Sequence, residues 1–126
     1  MIDNLKIKSR KILLISRYFW PDRSSCSEIL FYISKNFYSK KYKVDVISSI
    51  PQRFKINYSK KNLRNLDKKH NLNIQRINLL KEKKSPITRI FNAFLLSVNG
   101  IIKLIINNHQ IVIITSCPPV LPAFLL

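Results

Sequence analysis

Glycine is nearly missing from this chain: Gly100 is the only one in 126 residues. Loops of the G-x-G-x-x-G or Walker type need several glycines so that backbone N–H groups can approach a phosphate, and both are therefore excluded. Acidic residues are also scarce. There are six, and none forms an obvious pair for acid/base work. The two cysteines, Cys26 and Cys117, cannot make a disulfide scaffold, and no Cys or His spacing fits zinc, so no metal is expected. Two lone cysteines fit a reducing cytoplasm. His70 lies in a basic stretch and His109 just ahead of an apolar run; each reads as a solvated or capping histidine. Ser25 and Ser116 have no paired base in the sequence. No secretory signal is expected, because Asp3 and a mixed stretch precede the first apolar run and no cleavage-type site follows it.

What the chain has in excess is positive charge. Lys and Arg number 23, for a formal net charge of +17. A charge of this size implies an anionic partner: nucleic acid, acidic lipid or a phosphorylated substrate. A second explanation competes. Lys, Asn and Ile supply 48 of the 126 residues, all have AT-rich codons, and a GC-poor genome raises Lys without selection for binding. Nucleic acid is the weaker partner, since the basic residues lack the Gly and aromatic interleaving of RNA-binding modules.

The apolar pattern predicts one α/β domain over residues 1–126, with no internal repeat. Lys11 to Ser16 (KILLIS) reads as a buried parallel strand and Arg17 to Ser24 as a loop turned by Pro21-Asp22. Ser25-Cys26-Ser27-Glu28 has capping-box spacing. Apolar Ile29, Leu30, Ile33 and Phe37, with Cys26, mark the buried face of a helix of about four turns. Lys40 and Lys41 sit where cations favour the helix dipole. Val44 to Ser48 is a second strand, completing a βαβ unit. Pro51 to Asn71 reads as a long exposed loop with at most a helical turn near Leu63 to Leu66. Asn73 to Asn78 alternates and predicts a peripheral strand.

Ser85-Pro86 opens a second helix that runs to about Ile106. Thr88, Asn92, Asn99 and Lys103 form a narrow polar stripe on it, beside apolar Ile90, Phe91, Phe94, Leu95, Leu96, Val98, Ile101, Ile102, Leu104 and Ile105. A membrane span needs about 20 mostly apolar residues. This run is about as long but carries two Asn and a Lys, which favours a long buried helix or one lying on a membrane surface. Ile111 to Thr115 is a fourth buried strand, and Ser116-Cys117-Pro118-Pro119 a sharp loop. Val120 to Leu126 begins a new apolar segment without a stop signal, predicting that the fold continues beyond this chain. An apolar end and a bare side of the sheet predict poor solubility.

Open parallel sheets bind ligands at the carboxyl ends of their strands, where the strand order reverses. With a doubly wound order 3-2-1-4, the loops after the first and fourth strands flank one crevice. The first loop ends at a capped helix N-terminus, which favours an anion such as phosphate. Arg17 and Arg23 add charge there. Trp20 and Tyr18 are placed to stack on a sugar or nucleobase, or Phe19 and Trp20 simply anchor the loop on the core.

The order of these features resembles the N-terminal domain of family-4-type, GT-B glycosyltransferases of bacterial surface polysaccharide synthesis. KILLISRYFWPDRSSCSEILFYISKNFYSKKYKVDVIS is similar to the family's opening strand, "YFPPE-Gly-Gly" loop, helix and second strand. ISSIPQRF is similar to its second strand and Pro-containing loop. KSPITRIFNAFLLSVNGIIKLII is similar to its helix of membrane-apposed character, and IVIITSCPPVLPAFLL to its strand ending in a Ser-Pro-Pro loop. The ordered set covers nearly the whole chain. It implies a Rossmann-like domain whose substrate-binding residues are Arg17, Trp20, Asp22, Arg23, Ser24, Ser25, Ser116, Pro118 and Pro119, with no catalytic residue assigned. Ser24-Ser25 stands where the family has its glycine pair, and Tyr42 where it has a glycine before the second strand.

The resemblance further implies retaining transfer from a nucleotide-sugar, the co-substrate of the whole enzyme, to a lipid-linked or sugar acceptor. The nucleotide-sugar would bind a C-terminal domain with a paired-glutamate motif, which this sequence lacks, so the chain alone is not expected to catalyse transfer. The implied location is cytoplasmic, peripheral at the inner face of the plasma membrane, where the basic loop and apolar helix would meet an anionic surface. The alternative is a non-catalytic basic module on such a surface; nucleic-acid binding is the third reading.

Overall fold

A computed structural model describes residues 10–51, 58–81 and 85–115. The elements are β1 (Lys11–Ile15), α1 (Ser25–Ser39), β2 (Lys43–Ser49), α2 (Lys60–Lys69), β3 (Asn73–Ile77), α3 (Pro86–Asn107) and β4 (Ile111–Ile114). All strand pairings are parallel, in the order β3-β2-β1-β4. This is the open, Rossmann-like α/β sheet that the sequence predicts. Val120 to Leu126, read as the start of a new apolar segment, lies outside the described residues.

Period-two alternation splits the sheet into two faces. Leu13, Ile15 and Ile47 point to one, where Ala93 and Leu96 of α3 cover them. Leu14, Val44 and Val46 point to the other, against Leu30 and Phe31 of α1. α2 lies on the α1 side, since Asp67 pairs with Arg76, two residues along β3 from Ile74 in the same cluster. α3 is the single described helix of its layer.

Three local expectations need correction. The capping box of α1 sits one residue earlier than read: Ser24 is the N-cap, its Oγ accepting from Ser27 N–H at 3.2 Å while Ser27 Oγ accepts from Ser24 N–H at 3.0 Å. Serine at both ends completes the reciprocal pair without Glu28. The buried face of α1 is also rotated. Leu30 and Phe31 are buried but Ile29 and Ile33 are 59% and 38% exposed. The reason is that small Ser27 and Ser34 face the sheet and let the helix approach closely, with Ser34 Oγ donating back to Leu30 C=O at 2.8 Å. Thirdly, part of the expected long exposed loop is the ten-residue α2, capped by Ser59 and anchored by buried Leu63 and Asp67.

α3 follows the same rule as α1 more strongly. Its buried row is Asn92, Ala93, Leu96, Ser97 and Gly100, so of the polar stripe Asn92 is buried while Thr88, Asn99 and Lys103 are half-buried. Asn92 is fully buried, and its carboxamide accepts from Leu80 N–H at 3.0 Å and donates to Leu80 C=O at 2.9 Å. Gly100 belongs to the same buried row and adds no side chain to it. By length and composition α3 could cross a membrane, but this packing leaves its apolar side outward.

With glycine absent from the turns, other residues take the left-handed conformation. Asn71 and Asn108 do so at φ 57° and 50°, at or just after the ends of α2 and α3. Asparagine is the usual substitute there. In the α1–β2 turn the position is Lys41, at φ 66°, rather than Tyr42, whose ring packs edge-on against Phe37.

At the amino edge of the sheet a polar cluster ties α3 to β2. The Asp45 carboxylate accepts from Asn73 Nδ2 at 2.6 Å and Asn107 Nδ2 at 3.3 Å, and pairs with His109 Nε2 at 2.6 Å. His109 is therefore neither solvated nor a cap; its side chain is buried. Burial pushes the Asp45 carboxyl up, but the bonds from His109 and Asn73 and the nearby charge of Lys103 together outweigh it and hold the carboxyl below its ordinary value of 3.8. Burial lowers Lys103, partly offset by Asp45. A folded value below the unfolded one means that Asp45 stabilises the fold above pH 3.8 and loses this contribution as pH falls through the folded value. Asp45→Asn is thus expected to cost about 1–2 kcal/mol near neutral pH, allowing for partial exposure. The gap to the parent chain should close below the ordinary carboxylate range. Urea midpoints measured across pH check this, and a gap constant with pH would rule out the carboxylate as its source.

Candidate functional site at the carboxyl edge

The chain runs from β1 through β2 to β3 in one direction across the sheet, then returns past β1 to β4. The order therefore reverses between β1 and β4, and the carboxyl ends of these strands form the switch-point crevice. Their ladder continues to the edge through Thr115 N–H to Ile15 C=O at 3.2 Å. Beyond it Thr115 Oγ1 donates to Ser16 Oγ at 3.2 Å, and Ser16 Oγ donates to Tyr18 C=O at 2.7 Å. These two hydroxyls lie where strand ends and loop meet. Neither was singled out in the sequence, although KILLIS and IVIIT each end in a hydroxyl residue.

The residues expected to bind substrate separate into two groups. Arg17, Trp20 and Asp22 build the loop. Arg17 is buried, its carbonyl accepting from Ser49 Oγ at 2.6 Å and Ser48 Oγ at 3.1 Å, with the guanidinium 5.4 Å from the Tyr18 ring centroid. Phe19 is fully buried in the α1-side core. The Trp20 indole stacks on Phe31 at 5.1 Å and meets His70 edge-on at 4.6 Å. Phe19 and Trp20 thus anchor the loop. The Trp20–Pro21 bond is cis. Asp22 is buried, and its carbonyl accepts from Ser24 N–H and from Ser27 Oγ.

Arg23, Ser24 and Ser25 form the second group, on the accessible side of the loop where α1 begins. Arg23 and Ser25 are exposed and Ser24 is half-buried. Ser24 has φ −131° and ψ 148°, an extended conformation that any residue adopts, so the backbone does not require glycine there. The first turn of α1 turns N–H groups and the positive end of its dipole toward this loop, with Arg23 beside them and Glu28 opposing within the turn. Ser116, Pro118 and Pro119 lie outside the described residues. Among the described residues no group of three or more His, Cys, Asp and Glu side chains could hold a metal.

Arg76 of β3 fixes the loop, and nothing in its sequence position announced it. Its guanidinium pairs with Asp67 through Nη2–Oδ1 at 2.9 Å and Nε–Oδ2 at 3.2 Å, both side chains being 9% exposed. Nη2 also donates to Trp20 C=O, and the guanidinium carbon stands 5.9 Å from the Phe19 ring centroid. One cation thereby joins α2, β3 and the loop after β1. His70, the residue capping α2, is held below its ordinary pKa by burial and by the charges of Lys35 and Lys69. A separate cavity of about 370 Å³ opens under α2 at the β3 edge, lined by Ile50, Leu63, Lys60, Arg64 and the Asp67–Arg76 pair. It lies away from the switch point.

Comparison of the chain with protein-family models, curated proteins and solved structures finds no match in any of the three.

Proposed function

We propose that this chain is the acceptor-side half of a retaining glycosyltransferase, and that the loop after β1 and the end of β4 form its acceptor crevice. The observation that carries the reading is the strand order: it brings Ser16, Arg23, Ser24 and Ser25 to the same sheet edge as Thr115, at the point of reversal. The ordered resemblance of four segments to family-4-type enzymes supports it. An exposed cation beside a helix N-terminus suits the phosphate of an activated or lipid-linked sugar. Among the described residues no acid/base pair stands at this edge, since the Asp45–His109 pair lies at the amino edge, and the reading therefore assigns the chemistry to a nucleotide-sugar-binding domain as partner.

Titration of isotope-labelled chain with N-acetylglucosamine 1-phosphate, followed by amide NMR, tests the site. Shifts are expected at Arg23, Ser24, Ser25 and Thr115, with Arg23→Ala weakening binding by about tenfold. Shifts confined to α1 and α2 lysines, or none at millimolar ligand, would sink the reading.

The competing module for anionic surfaces has its own support. Lys35, Lys40, Lys61, Lys68 and Lys69 are all exposed on the α1–α2 side. It predicts capture by phosphatidylglycerol vesicles that is lost as salt rises.

A further inference from the structure

The cavity under α2 is lined by cations that nothing in the chain neutralises. α2 sets Lys60, Leu63, Arg64 and Asp67 on one face, at the i, i+3, i+4 and i+7 spacing of a single helix side. Leu63 and Asp67 are buried, and exposed Lys60 and Arg64 line the cavity of about 370 Å³ beside them. Arg76 lines it from β3. Three cations therefore stand with one carboxylate, and that carboxylate is already engaged by Arg76 Nε and Nη2. Lys60 and Arg64 have no ion-pair partner among the described residues.

Arg76 also keeps a donor in reserve. A guanidinium carries five N–H groups. Two of them bond Asp67, one bonds Trp20 C=O, and one on Nη1 makes a long contact of 3.5 Å with Ser49 C=O. The second N–H of Nη1 has no partner among the described residues, although the side chain is only 9% exposed. A buried donor left unmade is costly, and a ligand in the cavity would supply its acceptor. The start of α2 shows the same imbalance. α1 carries Glu28 in its first turn, but α2 has no acid there and begins Lys60-Lys61, where the positive end of the dipole disfavours cations.

We infer that this cavity is a binding site for a small hydroxylated phosphate monoester, separate from the crevice at the switch point. Such an ester carries close to two negative charges at neutral pH and three terminal oxygens, enough to meet Lys60, Arg64 and the spare N–H of Arg76 together. A carboxylate offers one charge and two oxygens. Gln75 and Asn78, whose carboxamides have no hydrogen-bond partner among the described residues, line the strand side and suit hydroxyl groups. Leu63 and Ile74 give the body an apolar wall. The volume stands at the small end of ligand pockets, which begin at about 300 Å³, and fits a single small molecule rather than a polymer. The inference does not depend on the sugar-transfer reading.

The test is amide and guanidinium NMR of the full labelled chain with ribose 5-phosphate, at about 0.15 M salt. Shifts are expected along the first turns of α2, at Gln75 and Asn78 and at Arg76 Nε, with slower hydrogen exchange in α2 once the site is filled. Ribose should give none, and inorganic phosphate should bind several-fold more weakly than the ester. The double variant Lys60→Ala, Arg64→Ala changes exposed side chains only and should weaken binding at least tenfold. Lys68→Ala, Lys69→Ala removes the same charge from the other end of α2 and should leave affinity within about twofold. Arg23→Ala, at the switch-point crevice, should also leave it unchanged. Equal losses from the two α2 double variants would mean attraction to a basic chain rather than a site, and would overturn the inference. So would shifts confined to Arg23, Ser24 and Ser25, which would give the phosphate to the crevice, or no shift at about 10 mM ester. Inorganic phosphate binding as tightly as the ester would overturn the assignment of a hydroxylated body.

Discussion

Arg76→Ala is expected to lower folding stability by about 3–5 kcal/mol, among the largest losses available to a single substitution in this domain. The reason is what the substitution leaves behind. Asp67 is buried on the inner side of α2, and its carboxylate is paired with the two guanidinium nitrogens of Arg76. Without them a charge stays buried with its attraction removed, while the Trp20 carbonyl loses a donor. α2 has only Leu63 as a fully buried apolar anchor, so it should loosen first. Hydrogen exchange is expected to show fast α2 amides in the variant even where β1 and β2 remain protected. Arg76→Lys should recover little, because a point charge cannot make the two-pronged contact with Asp67 and reach Trp20 as well. The double variant Arg76→Met, Asp67→Leu removes both charges and is expected to recover most of the loss. A loss under about 1 kcal/mol for Arg76→Ala, in urea denaturation, would show that water screens the pair as it does a surface ion pair.

The strands were legible in the sequence because apolar runs such as KILLI and IVII, bounded by polar turns, have few alternatives in a parallel sheet; their order came from doubly wound topology rather than from the residues, and the structure has that order. The faces of the helices were less legible. Apolar periodicity assigns Ile29 and Ile33 to the core of α1, yet the sheet takes Ser27 and Ser34, whose hydroxyls bond within or beside their own helix. α3 repeats this with Ser97, whose Oγ donates to Ala93 C=O at 2.8 Å. Small polar residues that satisfy themselves locally cost little when buried, and their size permits close packing; a hydrophobicity count sees only their polarity. α2 was hidden for a related reason. Its one buried acid is neutralised by an arginine nine positions later, and that pairing belongs to the tertiary structure. The candidate crevice was legible as topology, but the division of its residues between builders and accessible groups was not. Arg17 and Asp22 read as polar loop residues and are buried, while Arg23, beside them in sequence, is exposed.

Phe19→Ala tests how far the loop after β1 depends on its buried anchor. The ring is fully buried among Leu14, Leu30, Phe31 and Val46, meets Phe31 edge-on at 6.1 Å and lies beneath the Arg76 guanidinium. Removing it deletes apolar burial and leaves a cavity between β1 and α1, for an expected loss of about 3–5 kcal/mol. Its consequences should differ from those of Arg76→Ala. The Phe19 carbonyl holds Asp22 N–H at 3.0 Å, and Asp22 in turn holds Ser24, the cap of α1. A loosened Phe19 therefore frees the capping segment, and amide exchange should quicken at Arg23, Ser24 and Ser25 while α2 stays protected. Because ring and guanidinium also touch, the two substitutions should be less than additive by about 0.5–2 kcal/mol in a double-mutant cycle. If the pair were additive and exchange at Ser24 unchanged, the loop would owe its shape to its own turn chemistry at Pro21-Asp22. In that case Phe19 would be a core residue that happens to sit within it, and its removal would leave the proposed sugar-phosphate binding at Arg23 intact once the fold was restored by a stabilising background.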